Sequence, residues 1–279
     1  MTIIHRPYIR GFFCSDESIQ YPVKPDTISD TLLSLSSIGI TAVIFCLGEA
    51  YMVYTKGLLP KTDFSHYLSA IYKLVGIFLY GVAVTQSLTA LSKYVIGRLR
   101  PHFLAVCDID LSKVNCSLYV MAEDMCRGKP SQVREARLSF YSGHASLSMF
   151  CMVFLALYIE ARLKSTWART LRPALQFSVI FFALYVGYTR ISDYKHHASD
   201  VLTGFLQGAL LAVLIGTCCH LSSWGKNKLP ASSLFPSELP IHPFWSSRPC
   251  KEPSPLLAGM SVQPMWHLQL LYGIESELI

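Results

Sequence analysis

The chain has 279 residues, 52% hydrophobic and only 15% charged, with a formal net charge of +6. Soluble domains carry about 25% charged residues, so the composition argues against a soluble enzyme and for a membrane protein. The modest positive charge gathers at short motifs and helix ends rather than on one continuous basic face, which argues against nucleic acid as a partner.

In chain order, residues 1–30 hold no apolar run. No cleaved signal peptide is therefore expected, and the first span must itself direct the chain to the membrane. A membrane helix needs about 20 apolar residues to cross roughly 30 Å of hydrocarbon. Five blocks meet or approach that length: 31–54, 68–91, 145–161, 173–189 and 201–221. The expected fold class is all-α, a polytopic transmembrane helix bundle of about five spans. From Ser222 the chain turns rich in Pro and Ser, and Pro240, Pro243, Pro249, Pro253 and Pro255 preclude a long helix. Residues 222–279 are expected to form a mostly disordered cytoplasmic tail. The domain reading is thus an outer segment 1–30, a membrane domain 31–221 and that tail.

Orientation follows from basic residues beside short loops. Before the first span only Lys24 lies close, among Asp16, Glu17, Asp26 and Asp30; after it come Lys56 and Lys61. The N-terminus is therefore expected outside. Loop 162–172 falls inside and carries Arg162, Lys164, Arg169 and Arg172. The long loop 93–144 and the short loop 190–200 fall outside. Loop 93–144 is itself basic, against the rule, but it is long and several of its cations belong to a site. It also holds Asn115-Cys116-Ser117, a glycosylation sequon that agrees with an outer position.

Of nine cysteines, Cys14, Cys107, Cys116 and Cys126 are expected outside, where disulfides persist. Four cysteines allow three pairings, and the sequence does not choose among them. Cys46 and Cys151 fall within spans as packing residues. Cys218 and Cys219 end the last span, as small apolar residues or as palmitoylation sites.

Three clusters carry the chemistry. Lys93-Tyr-Val-Ile-Gly-Arg-Leu-Arg100-Pro101 sets two cations about two helical turns apart, so that both can lie on one face. Arg offers a planar fork to phosphate oxygens and Lys a compact point charge. Pro101 marks the expected helix end. Ser142-Gly143-His144 opens the third span. Ser142 or Gly143 suits a helix cap, the free N–H groups of a helix start suit an anion, and His144 can trade a proton. In the third cluster, Arg190 precedes His196 and Asp200. Four positions separate His196 from Asp200, which on a helix puts both on one face, with His197 pointing elsewhere. A carboxylate can then hold one imidazole nitrogen protonated and leave the other free to attack. No spaced His, Cys and carboxylate set completes a metal site, so neither a metal nor another cofactor is implied.

With these clusters assembled, the chain resembles the type 2 phosphatidate phosphatase superfamily, whose pattern is K-x6-RP, then SGH, then R-x5-H-x3-D. The flanking segments KYVIGRLRPHFLAVCD, RLSFYSGHAS and YVGYTRISDYKHHASD are close to the lipid phosphate phosphatases of animals. The likeness spans about residues 7–217. It implies that His196 is the nucleophile, that Asp200 orients it, and that His144 protonates the leaving alkoxide and then activates water. Lys93, Arg100, Ser142, Gly143 and Arg190 would cradle the phosphoryl oxygens. The resemblance also implies phospholipid and sphingolipid phosphate substrates, namely phosphatidate, lysophosphatidate, ceramide 1-phosphate and sphingosine 1-phosphate. They would be cleaved without magnesium at the extracellular or luminal face of the plasma, endoplasmic reticulum or endosomal membrane. A homo-oligomer is left open.

Two departures stand out. The family has six spans and this chain shows five, with residues 7–30 resembling the loop after the family's first span. The tail also differs from the family's usual end. Tyr141 stands where many distant members have Pro, and Thr189 where many have Ser. The alternatives are a phosphatase of another membrane-linked phosphate, such as a polyprenyl diphosphate or a sugar phosphate, and a catalytically impaired variant acting as a lipid-binding or regulatory scaffold.

Overall fold

The computed structural model describes residues 8–55, 63–110, 114–116, 118–121, 125–163 and 169–217. Lys56, Lys61, Ser117, Lys164, Cys218, Cys219 and the tail 222–279 lie outside the described residues. Helix α1 (Asp30–Ser34) passes through a π-turn, Leu35–Gly39, into α2 (Ile40–Thr55). Next come α3 (Asp63–Ile96), the short α4 (Phe103–Cys107) and α5 (Pro130–Ala136), then α6 (Gly143–Arg162), α7 (Leu171–Ser192) and α8 (Ala198–Ile215). Among the described residues, five helical stretches are long and apolar enough to cross a membrane: Asp30–Met52, Tyr67–Ile96, Gly143–Arg162, Leu171–Ser192 and Ala198–Ile215. The chain is a multi-pass helical membrane protein, as its hydropathy predicts.

The starts of these helices are written locally. Ser29 accepts a hydrogen bond from the Leu32 amide at 3.3 Å, and Ser142 accepts one from the Ala145 amide at 3.4 Å. Each relieves a donor that the first turn leaves unpaired. Pro130 occupies the first turn of α5, where its missing N–H costs nothing.

In lipid, burying an apolar side chain against another helix brings little transfer gain, so close packing must hold the bundle. Phe45, Phe78, Phe150, Phe154 and Tyr158 form a continuous aromatic core, with ring centroids such as Phe45–Phe78 at 5.4 Å and Phe45–Tyr158 at 4.7 Å. Such pairs contribute about 0.5–1.5 kcal/mol each beyond their area. Helix α8 lies tightly on α6 at Gly204, where an added Cβ would stand 2.8 Å from the Ser142 carbonyl oxygen and 3.1 Å from the Ala145 Cβ. In α7, Ala183, Val186, Gly187 and Arg190 turn inward while Phe177, Phe181, Tyr185 and Tyr188 face out, the three-to-four spacing of a helix with one packed face. Cys151 is buried as expected; Cys46 is exposed, so it lies on the bundle's outer surface and is not a packing residue.

At the bundle end away from the motifs, Glu49 is 5% exposed and forms an ion pair with Arg162. The Arg162 Nε donates to Glu49 at 2.8 Å and the Tyr158 hydroxyl at 3.0 Å, so both oxygens of the carboxylate are occupied.

Above the other end sits a small second core of Phe12, Ile19, Leu99, Phe103, Val120, Val133 and Ala136, together with Cys107. It is drawn from the N-terminal segment and loop 93–144. Two disulfides clamp it, Cys14–Cys116 and Cys107–Cys126, with Cα separations of 5.3 and 4.6 Å. Of the three pairings open to the sequence, the structure forms this one, with Cα spacings that suit a bridge.

Candidate functional site

The first cluster is built differently from its expected form. Lys93 lies in the last turn of α3, but the helix stops at Ile96, well before Pro101. Gly97 takes φ +55°, which glycine enters without strain, and its amide closes onto the Lys93 carbonyl at 3.1 Å. Lys93 and Arg100 therefore do not share a helical face. The segment 98–100 instead runs beside 136–139, with the Arg100 amide donating to Ala136 at 2.8 Å and the Ser139 amide to Arg98 at 3.0 Å. This pairing carries Arg100 to the start of α6. Arg100 is buried and pairs with Glu135 at 3.0 Å, and among the described residues its Nε has no hydrogen-bond partner.

Ser142 is the N-cap of α6 and Gly143 its first residue. The helix start thus points its free amides outward, a ready anion site. A Cβ on Gly143 would lie 3.7 Å from the Lys93 ammonium, so the first two clusters meet here. The Tyr141 hydroxyl hydrogen-bonds to Thr89 and Ser92 of α3, and burial raises its pKa. His144 sits in the first turn, with Nε2 3.1 Å from the Ile28 carbonyl oxygen and Nδ1 3.4 Å from an Asp30 carboxylate oxygen. Both ring nitrogens face acceptors.

Arg190, 1% exposed, ends α7. Its Nη1 donates to Asp26 at 2.7 Å and its Nη2 to Asp193 at 3.0 Å, while Nε has no partner among the described residues. Asp193 is held in turn by the Thr27 amide at 2.8 Å and the Thr27 hydroxyl at 2.7 Å. The segment around Asp26–Asp30 therefore lies across both Arg190 and His144.

The His196 amide closes onto the Arg190 carbonyl at 3.2 Å. His196 stands before α8, His197 is its N-cap and Asp200 its third residue. The spacing of four thus crosses a helix start, and His196 and Asp200 do not lie on one helical face. The His196 Nδ1 donates to the Ser139 carbonyl at 2.8 Å, whereas the nearest Asp200 oxygen is 3.9 Å away. His197, expected to point elsewhere, has its Nδ1 3.2 Å from Asp200. The Asp200 carboxylate, fully buried, also receives Arg98 at 2.6 Å, the Ser139 hydroxyl at 2.6 Å and the His197 amide at 3.1 Å.

All three clusters converge on one rim of the bundle. Burial, together with the nearby charges of Arg100, Lys93 and His144, holds the His196 pKa well below the ordinary imidazole value. The ring is therefore neutral at physiological pH, with Nδ1 protonated and Nε2 carrying the lone pair. Exposed Asn115 lies in the disulfide-clamped layer, next to Cys116. Among the described residues no three His, Cys, Asp or Glu side chains group as metal ligands would. Sequence reasoning missed Arg98, Ser139, Asp26 and Asp193. Arg98 carried a usable signal, a third cation inside the first cluster. Asp193 also carried a local signal, three residues from Arg190; Ser139 and Asp26 are ordinary polar residues whose partners lie far away in the chain.

Comparison with known proteins bears on the same rim. The PAP2 superfamily pattern matches residues 74–224, which include all three clusters. The chain is 57% identical over 246 residues to phospholipid phosphatase 2 of Homo sapiens, covering 88% of this chain and 85% of that protein. It is 52% identical over 216 residues to phospholipid phosphatase 1 of Rattus norvegicus, covering 77% of each. No solved structure matches the chain. Its helical membrane fold, motif-bearing rim and extended identity to these enzymes make the chain a lipid phosphate phosphatase of the PAP2 superfamily.

Proposed function

We propose that this protein hydrolyses phosphate monoesters of phospholipids and sphingolipids (phosphatidate, lysophosphatidate, ceramide 1-phosphate and sphingosine 1-phosphate) through a phosphohistidine on His196, without a metal or other cofactor. The observation that carries this reading is the commitment of the His196 Nδ1–H to the Ser139 carbonyl, which leaves a neutral Nε2 beside Lys93 and Arg100. The His196 Nε2 attacks phosphorus and the bond to the lipid oxygen breaks. His144 gives its proton to the departing alkoxide. Two acceptors at its ring nitrogens suit the protonated form, and one of these contacts gives way as the proton leaves. His144 then takes a proton from water, the hydroxide oxygen attacks phosphorus, and the P–N bond breaks to release phosphate and restore His196. Lys93, Arg100, Arg190, the Ser142 hydroxyl and the Gly143 amide hold the phosphoryl oxygens through fixed charge and dipoles. The Nε groups of Arg100 and Arg190, without a partner among the described residues, supply donors to an incoming phosphate.

The rim faces the extracellular or luminal side in this reading, in plasma, endoplasmic reticulum or endosomal membranes. Two disulfides beside the site support an oxidising compartment. Residues 31–221 are then the phosphatase domain, 1–30 an outer segment and 222–279 a cytoplasmic tail.

The test is phosphate release from phosphatidate and lysophosphatidate micelles with EDTA present, comparing the protein with His196→Ala. Turnover that survives EDTA and vanishes in the variant supports the reading, as does an acid-labile phosphoenzyme trapped only in the parent. Turnover lost reversibly to EDTA, or retained by His196→Ala, overturns it. For orientation, an Asn115-dependent, glycosidase-sensitive mass shift is expected on expression in a secretory pathway; a cytoplasmic Asn115 contradicts the assignment.

A further inference from the structure

We propose that Arg98 and Ser139 are positioning residues for His196, acting together on Asp200 so that a neutral carbonyl, and not the carboxylate, fixes the imidazole. This inference rests on the phosphohistidine reading above and specifies how the nucleophile is held.

The Asp200 oxygen that faces His196 is already taken. Arg98 Nη1 takes Oδ1, while the Ser139 hydroxyl, the His197 amide and His197 Nδ1 all converge on Oδ2, the oxygen that faces His196. At 3.9 Å the His196 Nδ1 is beyond hydrogen-bond reach of that carboxylate. The link between the two runs through Ser139, whose hydroxyl binds Asp200 at 2.6 Å while its carbonyl accepts from His196 at 2.8 Å. Arg98 closes the frame from the other side. Its carbonyl accepts from the Ser139 amide at 3.0 Å, and its guanidinium also reaches the Ser199 hydroxyl at 2.8 Å. Three separate segments, 98–100, 136–139 and the first turn of α8, are thus locked around one ring nitrogen.

The arrangement has a chemical consequence. A carboxylate against Nδ1 would favour the imidazolium form and consume the lone pair that must attack phosphorus. A carbonyl selects the same tautomer with less pull on the proton. Arg98 balances the buried carboxylate and keeps it turned away from His196. The groups facing His196 are Lys93 from α3, Arg100 from the loop after it, His144 from α6 and Asp200 from α8. Substitutions at 98 and 139 remove none of these four groups and change only how Asp200 faces His196.

The experiment measures kcat, KM and the pH dependence of kcat/KM for Ser139→Ala, Ser139→Thr, Arg98→Ala and Arg98→Lys, with His196→Ala as reference. In Ser139→Ala, Asp200 Oδ2 loses its shortest donor and can turn toward His196. The acid limb of kcat/KM should move up by about one pH unit, and kcat should fall roughly tenfold to a hundredfold, as when other orienting partners of histidines are removed. KM should stay within about twofold, because no phosphate contact is lost. Ser139→Thr, which keeps the hydroxyl, should restore the acid limb. Arg98→Ala should lower kcat similarly, and millimolar guanidinium should recover part of it. The Arg98 side chain borders a cavity of about 160 Å³, shared with Arg10, Asp16 and His197, which can admit that ion. Parental kcat and an unmoved acid limb in both alanine variants, with His196→Ala inactive, overturn the proposal and leave the function standing. Lost activity with an unmoved limb and no rescue by threonine or guanidinium means a merely structural role and equally overturns it. If Ser139→Ala does not fold, the guanidinium rescue of Arg98→Ala decides alone. Parental turnover in His196→Ala instead removes the function on which the proposal rests.

Discussion

The membrane bundle and the layer above its rim solve the same problem with different physics. The bundle is held by aromatic packing around Phe45, Phe78, Phe150 and Phe154 and by the close approach of α8 to α6 at Gly204. In lipid there is no water to drive apolar groups inward, so fit decides. The rim layer is small, with about seven apolar residues at its centre, and it is tied by two disulfides, the Arg127–Asp110 ion pair at 2.9 Å and the Arg137 guanidinium over Phe103 at 5.1 Å. A core that small rarely stands alone. The candidate site lies at the seam between the two. It takes helix ends from the bundle, where backbone amides and buried charge are available, and takes Arg98, Arg100 and Ser139 from the layer. Its geometry therefore depends on two regions that fail for different reasons, and they can be broken one at a time.

The largest expected effect is on the layer. Replacing Cys14 and Cys116 by Ser opens a link across 102 residues, which the chain-entropy relation values at about 4.7 kcal/mol. Activity should fall sharply while far-UV circular dichroism keeps its helical signal; full activity would show that the layer does not hold the site. Opening Cys107–Cys126, across 19 residues, should cost less, about 3 kcal/mol.

Next is the far end of the bundle. Glu49→Ala removes the buried carboxylate from its pair with Arg162 and should destabilise the bundle by about 3 kcal/mol. It should lower Tm in detergent without moving the pH profile of turnover, because it lies at the end opposite the motifs. A shifted profile would mean that bundle and rim are coupled through the helices.

Gly204→Val sharpens the comparison at the seam. Its side chain must displace the Ser142 carbonyl and Ala145, and overpacking of this kind costs about 1–3 kcal/mol. Thermal stability and phosphate affinity should fall together, since the displaced atoms belong to the anion-binding turn. A variant that loses stability but keeps parental KM would separate the turn from helix packing.

Acid should act more gently, through His196. Its folded-state pKa is depressed, so the unfolded chain binds the extra proton first. The stability this residue contributes is complete above the unfolded value of about 6.5 and is lost as pH falls below it, by at most about 1.4 kcal/mol per pH unit. The slope of Tm against pH below about 6.5 should therefore flatten in His196→Gln. An unchanged slope would place the acid sensitivity elsewhere. The smallest effect concerns the acidic segment over the site. Asp26 is half exposed on its pair with Arg190, so water screens much of its attraction. Asp26→Asn should tighten inhibition by orthovanadate a few-fold, because the anion no longer competes with a carboxylate. Weaker inhibition would instead make Asp26 a support for the Arg190 geometry.

Much of the molecule is legible in the sequence alone. Span number follows from local apolar length, and the clusters follow from short spacings beside those spans. That Ser142 caps α6 was readable because capping is a contact three residues long. Local rules failed where a helix was assumed to continue. Gly97 ends α3 early, and His197 starts α8 late, so two inferences about shared helical faces were wrong although the residues still came together. Only the tertiary structure decided the partners: which cysteines pair, that Ser139 and not Asp200 touches His196, that Arg98 balances Asp200, and that Asp26 covers Arg190. Those contacts join residues 19 to 164 positions apart. Helix formation and membrane insertion are set by each segment's own composition. The choice among several carboxylates, cations or thiols is set by which of them the packed helices and the closed loops bring within about 3 Å.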